Sequence, residues 1–170
     1  LRYIPAPITF YKIIHKLKAG DCLIIQNKKV KEHEYWDLPE IDEKNLKSDK
    51  KEIFENFENL FSDSVKIRMR SDAPYGAFLS GGLDSSSIVA LMSEISSIPI
   101  ETFTIGFKEK FFDERHLANL VANKFHTSHH EYLVEPETFD SSFDNIAFHY
   151  DEPFGDSSAI PTGHVSKFAA

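Results

Sequence analysis

Apolar and polar positions alternate near the start of the chain. Cys22-Leu23-Ile24-Ile25 is a short apolar run, and a turn-like Asn27-Lys28-Lys29 follows it. Val30 to Trp36 then alternates, with Val30, Glu32 and Glu34 set against Lys31, His33 and Tyr35. A period of two is the mark of a strand, so this stretch predicts a hairpin with one wet face. Prolines at 5, 7 and 39 bracket it as breakers. Residues 41–52 carry charge and almost no apolar side chain, which reads as a linker running into a solvated helix start. A domain boundary is expected near residue 41.

The rhythm changes after residue 53. Phe54, Phe57, Phe61 and Val65 step by three or four, which places them on one helix face. Gly76 to Leu79 reads as a short strand, and Ile88, Leu91, Met92 and Ile95 form a second helical stripe. Ile100 to Phe107 predicts a strand, Asp113 to Phe125 a helix, His129 to Val134 a strand and Glu137 to Phe148 a helix. Strands alternating with helices imply an α/β fold, a parallel sheet flanked by helices.

Composition narrows the class. The chain has 170 residues, a soft prior for one domain of ordinary globular make-up. Against 19 Lys and Arg stand 27 Asp and Glu, a net charge of −8, which argues against a nucleic-acid partner held by phosphate neutralisation. Cys22 is the single cysteine, so no intrachain disulfide forms. This fits a reducing, cytoplasmic setting. No apolar run nears the roughly 20 residues of a membrane helix, and no signal peptide is visible. The chain opens Leu1-Arg2-Tyr3 without Met and closes within a helix-like stretch ending Phe168-Ala169-Ala170, so an internal fragment of a longer protein is expected.

The sharpest chemical signal is Phe78-Leu79-Ser80-Gly81-Gly82-Leu83-Asp84-Ser85-Ser86-Ser87. A strand ends, two glycines let backbone approach a ligand, and a helix begins with free N–H groups and a positive dipole end. Such a turn binds anions, phosphate above all. It has no Gly-Lys-Ser/Thr and no GxGxxG, so it is neither a Walker A loop nor a dinucleotide fingerprint. Asp84 would repel phosphate unless a cation lay between them, which implies Mg²⁺ held jointly with a polyphosphate. A plain strand–helix turn capped by Ser or Asp uses the same residue types.

Ser80-Gly81-Gly82-Leu83-Asp84-Ser85-Ser86 resembles the SGGxDS pyrophosphate loop (PP-loop) of the N-type ATP pyrophosphatases. Met69 to Phe78, Phe103 to Phe107 and Tyr150 to Thr162 resemble the glutamine-hydrolysing asparagine synthetases within that superfamily, in the family's order. Arg2 to Pro7 and Tyr35 to Pro39 look like the tail of the family's Ntn-type glutaminase domain. The resemblance implies an adenine nucleotide alpha hydrolase-like synthetase domain over 41–170, preceded by the β-rich glutaminase end over 1–40. It implies ATP and Mg²⁺ as cofactors, with aspartate, glutamine and ATP as small-molecule substrates. No nucleic acid and no membrane are expected as partners, and a homodimer of the full-length protein is one expected assembly.

Residue roles follow from the same likeness. Ser80, Gly81, Gly82, Ser85 and Ser86 would hold pyrophosphate, Asp84 would bind the metal, and Leu79 and Ile105 would contact the adenosine. Asp84, Glu152 and Asp156 are the candidate catalytic residues, with Asp151 beside them. Two departures stand out. The family's cysteine nucleophile is absent from position 1, where Leu1 stands, while Cys22 reads as a buried apolar residue. The second synthetase motif belongs after the last residue of this chain. Two other functions fit the same text: a relative acting on another carboxylate acceptor, and a catalytically incomplete nucleotide-binding domain. His126, His129 and His130 cluster at a helix–strand junction without zinc-type spacing, and no GxSxG elbow supports a Ser–His–Asp hydrolase.

Overall fold

The computed structural model describes residues 2–40, 49–111, 113–134, 143–152 and 154–170. They fall into two compact units. One comprises Leu1–Lys47 and Ala147–Asp156, and the other Ser48–Ile146 and Ser157–Ala170. The expected boundary near residue 41 lies outside the described residues, as does the first half of the helix predicted over Glu137–Phe148.

The first unit holds an antiparallel hairpin, β1 (Asp21–Gln26) and β2 (Lys29–Glu34), with Asp21 opposite Glu34 and Gln26 opposite Lys29. Its two-residue turn has Asn27 at φ 50° and Lys28 at φ 63°. Positive φ at both central positions gives the twist that two-residue hairpins need, and Asn tolerates it better than most residues. The hairpin expectation holds, but the single wet face does not. Every residue of β2 is exposed, and Ile25 and Val30 lie 72% and 64% open. Val30 is the one apolar residue of Lys29–Glu34, so neither face of β2 offers enough area to hold a layer.

The second unit is α/β. After Asp49, whose carboxylate accepts from the Lys51 N–H, α1 runs from Lys50 to Arg68. Glu52 in its first turn and Lys66 and Arg68 in its last suit the helix dipole. Then come β3 (Gly76–Phe78), α2 (Leu83–Ile95), β4 (Glu101–Gly106), α3 (Arg115–Phe125), β5 (Ser128–Leu133), α4 (Phe143–Tyr150) and α5 (Ala159–Ala169). The division between the units falls within α4. The sheet is parallel in the order β3-β4-β5, with Gly76 beside Glu101 and Glu101 beside Ser128. Among the described residues no helix is long and apolar enough to cross a membrane.

Strand β4 is the spine of this unit, and its side chains alternate strictly. Thr102, Thr104 and Gly106 are buried, while Glu101, Phe103 and Ile105 are half-buried on the opposite face. The first set lies under α3, whose Arg115 covers Gly106. The second meets α5, where Phe168 packs edge-on to Phe103 at 5.8 Å and against Tyr132 at 5.4 Å. Helices thus cover both sides of the sheet, as parallel sheets require.

Two small cores sit under α2. Leu79, Val89, Ala118 and Ala122 form one, and Val65, Met92 and Ile100 the other. The sequence stripes are shifted against these cores. On α2 the buried positions are Val89 and Met92, while Ile88 and Ile95 are each 38% exposed. On α1 the stripe buries Val65 alone, and Phe54 and Phe57 stay open. Helix period fixes which residues share a face, but length of contact decides how much of that face is covered. Here α1 meets α2 only near its carboxyl end, where Phe61, Val65 and Met69 join the second core.

Candidate functional site

The loop between β3 and α2 sits at the carboxyl end of the sheet, where open α/β sheets bind ligands. Its shape follows from its composition. Gly81 has φ +78°, and a Cβ there would lie 2.5 Å from the Leu117 Cβ and 2.6 Å from the Ala118 nitrogen. Only glycine satisfies both the left-handed backbone and that approach. Gly82 caps α2 in extended conformation, and among the described residues no side chain caps the helix start. The donor end of the helix is left for a ligand or water.

Serine hydroxyls knit the turn. The Ser80 and Ser85 hydroxyls lie 3.0 Å apart, and the Ser80 hydroxyl also accepts from the Gly82 N–H. Ser85 Oγ accepts from the Ser80 N–H and donates to the Gly82 carbonyl. Ser80, Gly82, Asp84 and Ser85 are exposed or half-exposed at the mouth, whereas the Ser86 hydroxyl is buried with no hydrogen-bond partner among the described residues.

Leu79 and Ile105 stand at the carboxyl ends of neighbouring strands, joined by the Leu79 N–H donating to the Phe103 carbonyl at 2.9 Å. The Leu79 side chain is 1% exposed and belongs to the core, so contact with a ligand would fall to its backbone. Glu152 and Asp156 belong to the first unit, in cationic company. Lys16 Nζ lies 2.5 Å from Glu152 Oε1 and also donates to the Ile4 carbonyl. Arg2 pairs with Asp156 at 3.2 Å, and the Gly155 N–H donates to the Arg2 carbonyl at 2.7 Å. Asp84, Leu79 to Ser86 and Ile105 are all in the second unit.

A metal would find a sparse protein donor set. Among the described residues no three His, Cys, Asp or Glu side chains gather closely enough to hold an ion. Asp84 at the helix mouth is one hard oxygen donor. That suits a Mg²⁺ that arrives with phosphate oxygens and keeps water, rather than an ion caged by protein. The three clustered histidines each have structural duties. His126 ends α3 in left-handed conformation. His129 Nδ1 is hydrogen-bonded to the Thr102 hydroxyl at 2.9 Å. His130 meets Glu101 at 2.5 Å and stacks on Phe103, and that hydrogen bond, more than any other cause, holds the Glu101 carboxyl below its ordinary range.

One cluster had no counterpart in the sequence reading. At the start of α3 the Arg115 guanidinium forks onto Asp113, Nε to Oδ1 and Nη2 to Oδ2, both at 2.8 Å. These bonds lower the Asp113 carboxyl and raise the guanidinium. Glu131 on β5 lies 3.9 Å from Arg115 Nη1 and accepts from Asn119. A faint signal existed: Gly106 closes a β-branched run, and glycine at a strand end often marks close approach by another group.

The asparagine synthase family model matches residues 56–170. A protein of Methanocaldococcus jannaschii named "Putative asparagine synthetase (glutamine-hydrolyzing) 2" is 44% identical over 99% of the chain. Asparagine synthetase (glutamine-hydrolyzing) 1 of Bacillus subtilis is 29% identical over 99% of the chain, and an amidase of Gibberella zeae is 30% identical over 89%. The chain spans 33% of the first of these relatives, 26% of the second and 25% of the third.

Proposed function

The chain belongs to the asparagine synthase family, and on that premise we propose that it carries the nucleotide-gripping part of a glutamine-dependent asparagine synthetase. Residues 41–170 are the start of the ATP-dependent synthetase domain, of PP-loop type, and 1–40 the tail of an Ntn-type glutaminase domain. The observation that carries this reading is the Ser80–Ser86 turn: left-handed Gly81, helix-opening Gly82 and uncapped amides at the carboxyl end of β3.

The chemistry asks for such a grip. A carboxylate resists amines because its leaving group would be oxide. An aspartate side-chain oxygen therefore attacks the α-phosphorus of ATP, the bond to pyrophosphate breaks, and pyrophosphate leaves. Ammonia from glutamine then attacks the acyl carbon, loses its proton, and the bond to AMP breaks to give asparagine. Negative charge grows on the departing pyrophosphate, where the amides of Leu83 to Ser85 and the Ser80 and Ser85 hydroxyls act as fixed donors. Mg²⁺, when bound, supplies Lewis-acid neutralisation of the phosphates, and Asp84 would hold it. Backbone at Leu79 and Ile105 would line the adenosine. Glu152 and Asp156 would serve the acceptor side.

The test uses the intact protein, with calorimetry of Mg·ATP binding and chromatographic detection of asparagine from aspartate, glutamine and ATP. Asp84→Ala is expected to lose at least tenfold in Mg·ATP affinity, on the order of one lost charge-assisted contact, and to make no detectable asparagine. Unchanged affinity and turnover in that variant would sink the assignment. Another amidated acid in place of asparagine would redirect it to a different carboxylate acceptor.

A further inference from the structure

We infer that Arg115 is a positioning residue for the phosphate loop, fixing the first turn of α3 as the buttress on which Gly81 rests; this rests on the nucleotide reading given above. Gly81 has no freedom to settle elsewhere, since its Cα hydrogen points at Leu117 and Ala118, within 2.6 Å of where a Cβ would stand. The loop is therefore placed only as well as that turn of α3 is placed.

The turn is held by charge. A Cβ on Gly106 would come within 2.1 Å of Arg115 Nε and 2.4 Å of its Cδ, so the arginine stem lies directly on the end of β4. Asp113 fixes one edge of the guanidinium and also accepts from the Arg115 N–H at 3.3 Å, while Glu131 on β5 faces the remaining nitrogen. Asn119, one turn further along α3, bonds to that same Glu131. Arg115 thereby joins β4, β5 and the lead-in to α3 at one point. Ala118, at 0% exposed, lets the helix close onto the loop. Lysine cannot reproduce the fork, because its single ammonium has no planar pair of donors.

Arg115→Ala, Arg115→Lys and Glu131→Gln, made in the intact protein, test this. Hydrogen exchange of the amides at 80–83 is read without nucleotide, Mg·ATP affinity by calorimetry, and the KM for ammonia in the amidation assay. Arg115→Ala is expected to speed exchange in the loop and weaken Mg·ATP roughly 3- to 30-fold, with the ammonia KM unmoved. Lysine restores part of the affinity, and Glu131→Gln repeats the effect more weakly, which keeps the test open if alanine impairs folding. Val65→Ala, a cavity in the other core, is expected to lower the melting temperature without changing affinity. Equal exchange and affinity in Arg115→Ala and wild type overturn the inference, as does an equal loss in Val65→Ala. A wild-type protein that binds no Mg·ATP overturns the nucleotide reading itself.

Discussion

His129 shows how one side chain can set the acid limit of a fold. Its ring is 9% exposed, with Nδ1 on the Thr102 hydroxyl and Nε2 buried 3.8 Å from a Glu131 oxygen. Burial pushes its pKa below the ordinary 6.5, and the nearby His130 adds to this, while Glu131 pulls the other way. A histidine that protonates less readily folded than unfolded stabilises the fold fully above the unfolded value. That contribution drains away as pH falls from about 6.5 through the lower folded value. Glu101 and Asp113, both lowered, contribute in a separate window that begins only below their ordinary values of 4.5 and 3.8. Melting temperature is therefore expected to start falling between pH 7 and 5, before Glu101 and Asp113 enter their own window. In His129→Gln that early slope should flatten while the later one remains. A wild-type curve flat down to pH 5 would contradict this.

Among the elements, α3 carries the most. Its carboxyl end turns through His126 at φ 53°, and the His126 N–H donates to the Ala122 carbonyl. A non-glycine residue pays conformational strain there. His126→Gly should raise stability by about 0.5–1 kcal/mol, seen as a higher melting temperature; no rise would mean the imidazole makes compensating contacts. The existence and type of α1, α2, β4, α3 and β5 were legible in the sequence, because 3.6-residue and buried-run patterns report one element at a time. Which stripe residue is buried was not. Ile88 and Val89 are neighbours of like hydropathy, and only the crossing of α2 over Leu79 and Ala118 selects Val89. The loop was legible because glycine requirements are local. The Arg115 cluster was hidden because Glu131 joins Asp113 and Arg115 only when α3 folds back on β5.

At the scale of the molecule, ion pairs join side chains far apart in the sequence. In the first unit Lys16 and Glu152, 136 positions apart, meet at 2.5 Å with their side chains 31% and 21% exposed. Lys16→Met should therefore free the Ala147–Asp156 segment, with faster hydrogen exchange there and about 1–2 kcal/mol lost, while Lys16→Arg retains most of it. Unchanged exchange in Lys16→Met would show that the Arg2–Asp156 contacts suffice. Neither pairing could be read from the sequence, because charge order along the chain does not say which carboxylate returns to which lysine. In the second unit β4 is flanked on both sides, but β3 and β5 each hydrogen-bond one strand only among the described residues. A strand paired on one side only offers the amides and carbonyls of its other side as a template for a further strand. Within the described residues the sheet is thus extensible in two directions, past β3 and past β5.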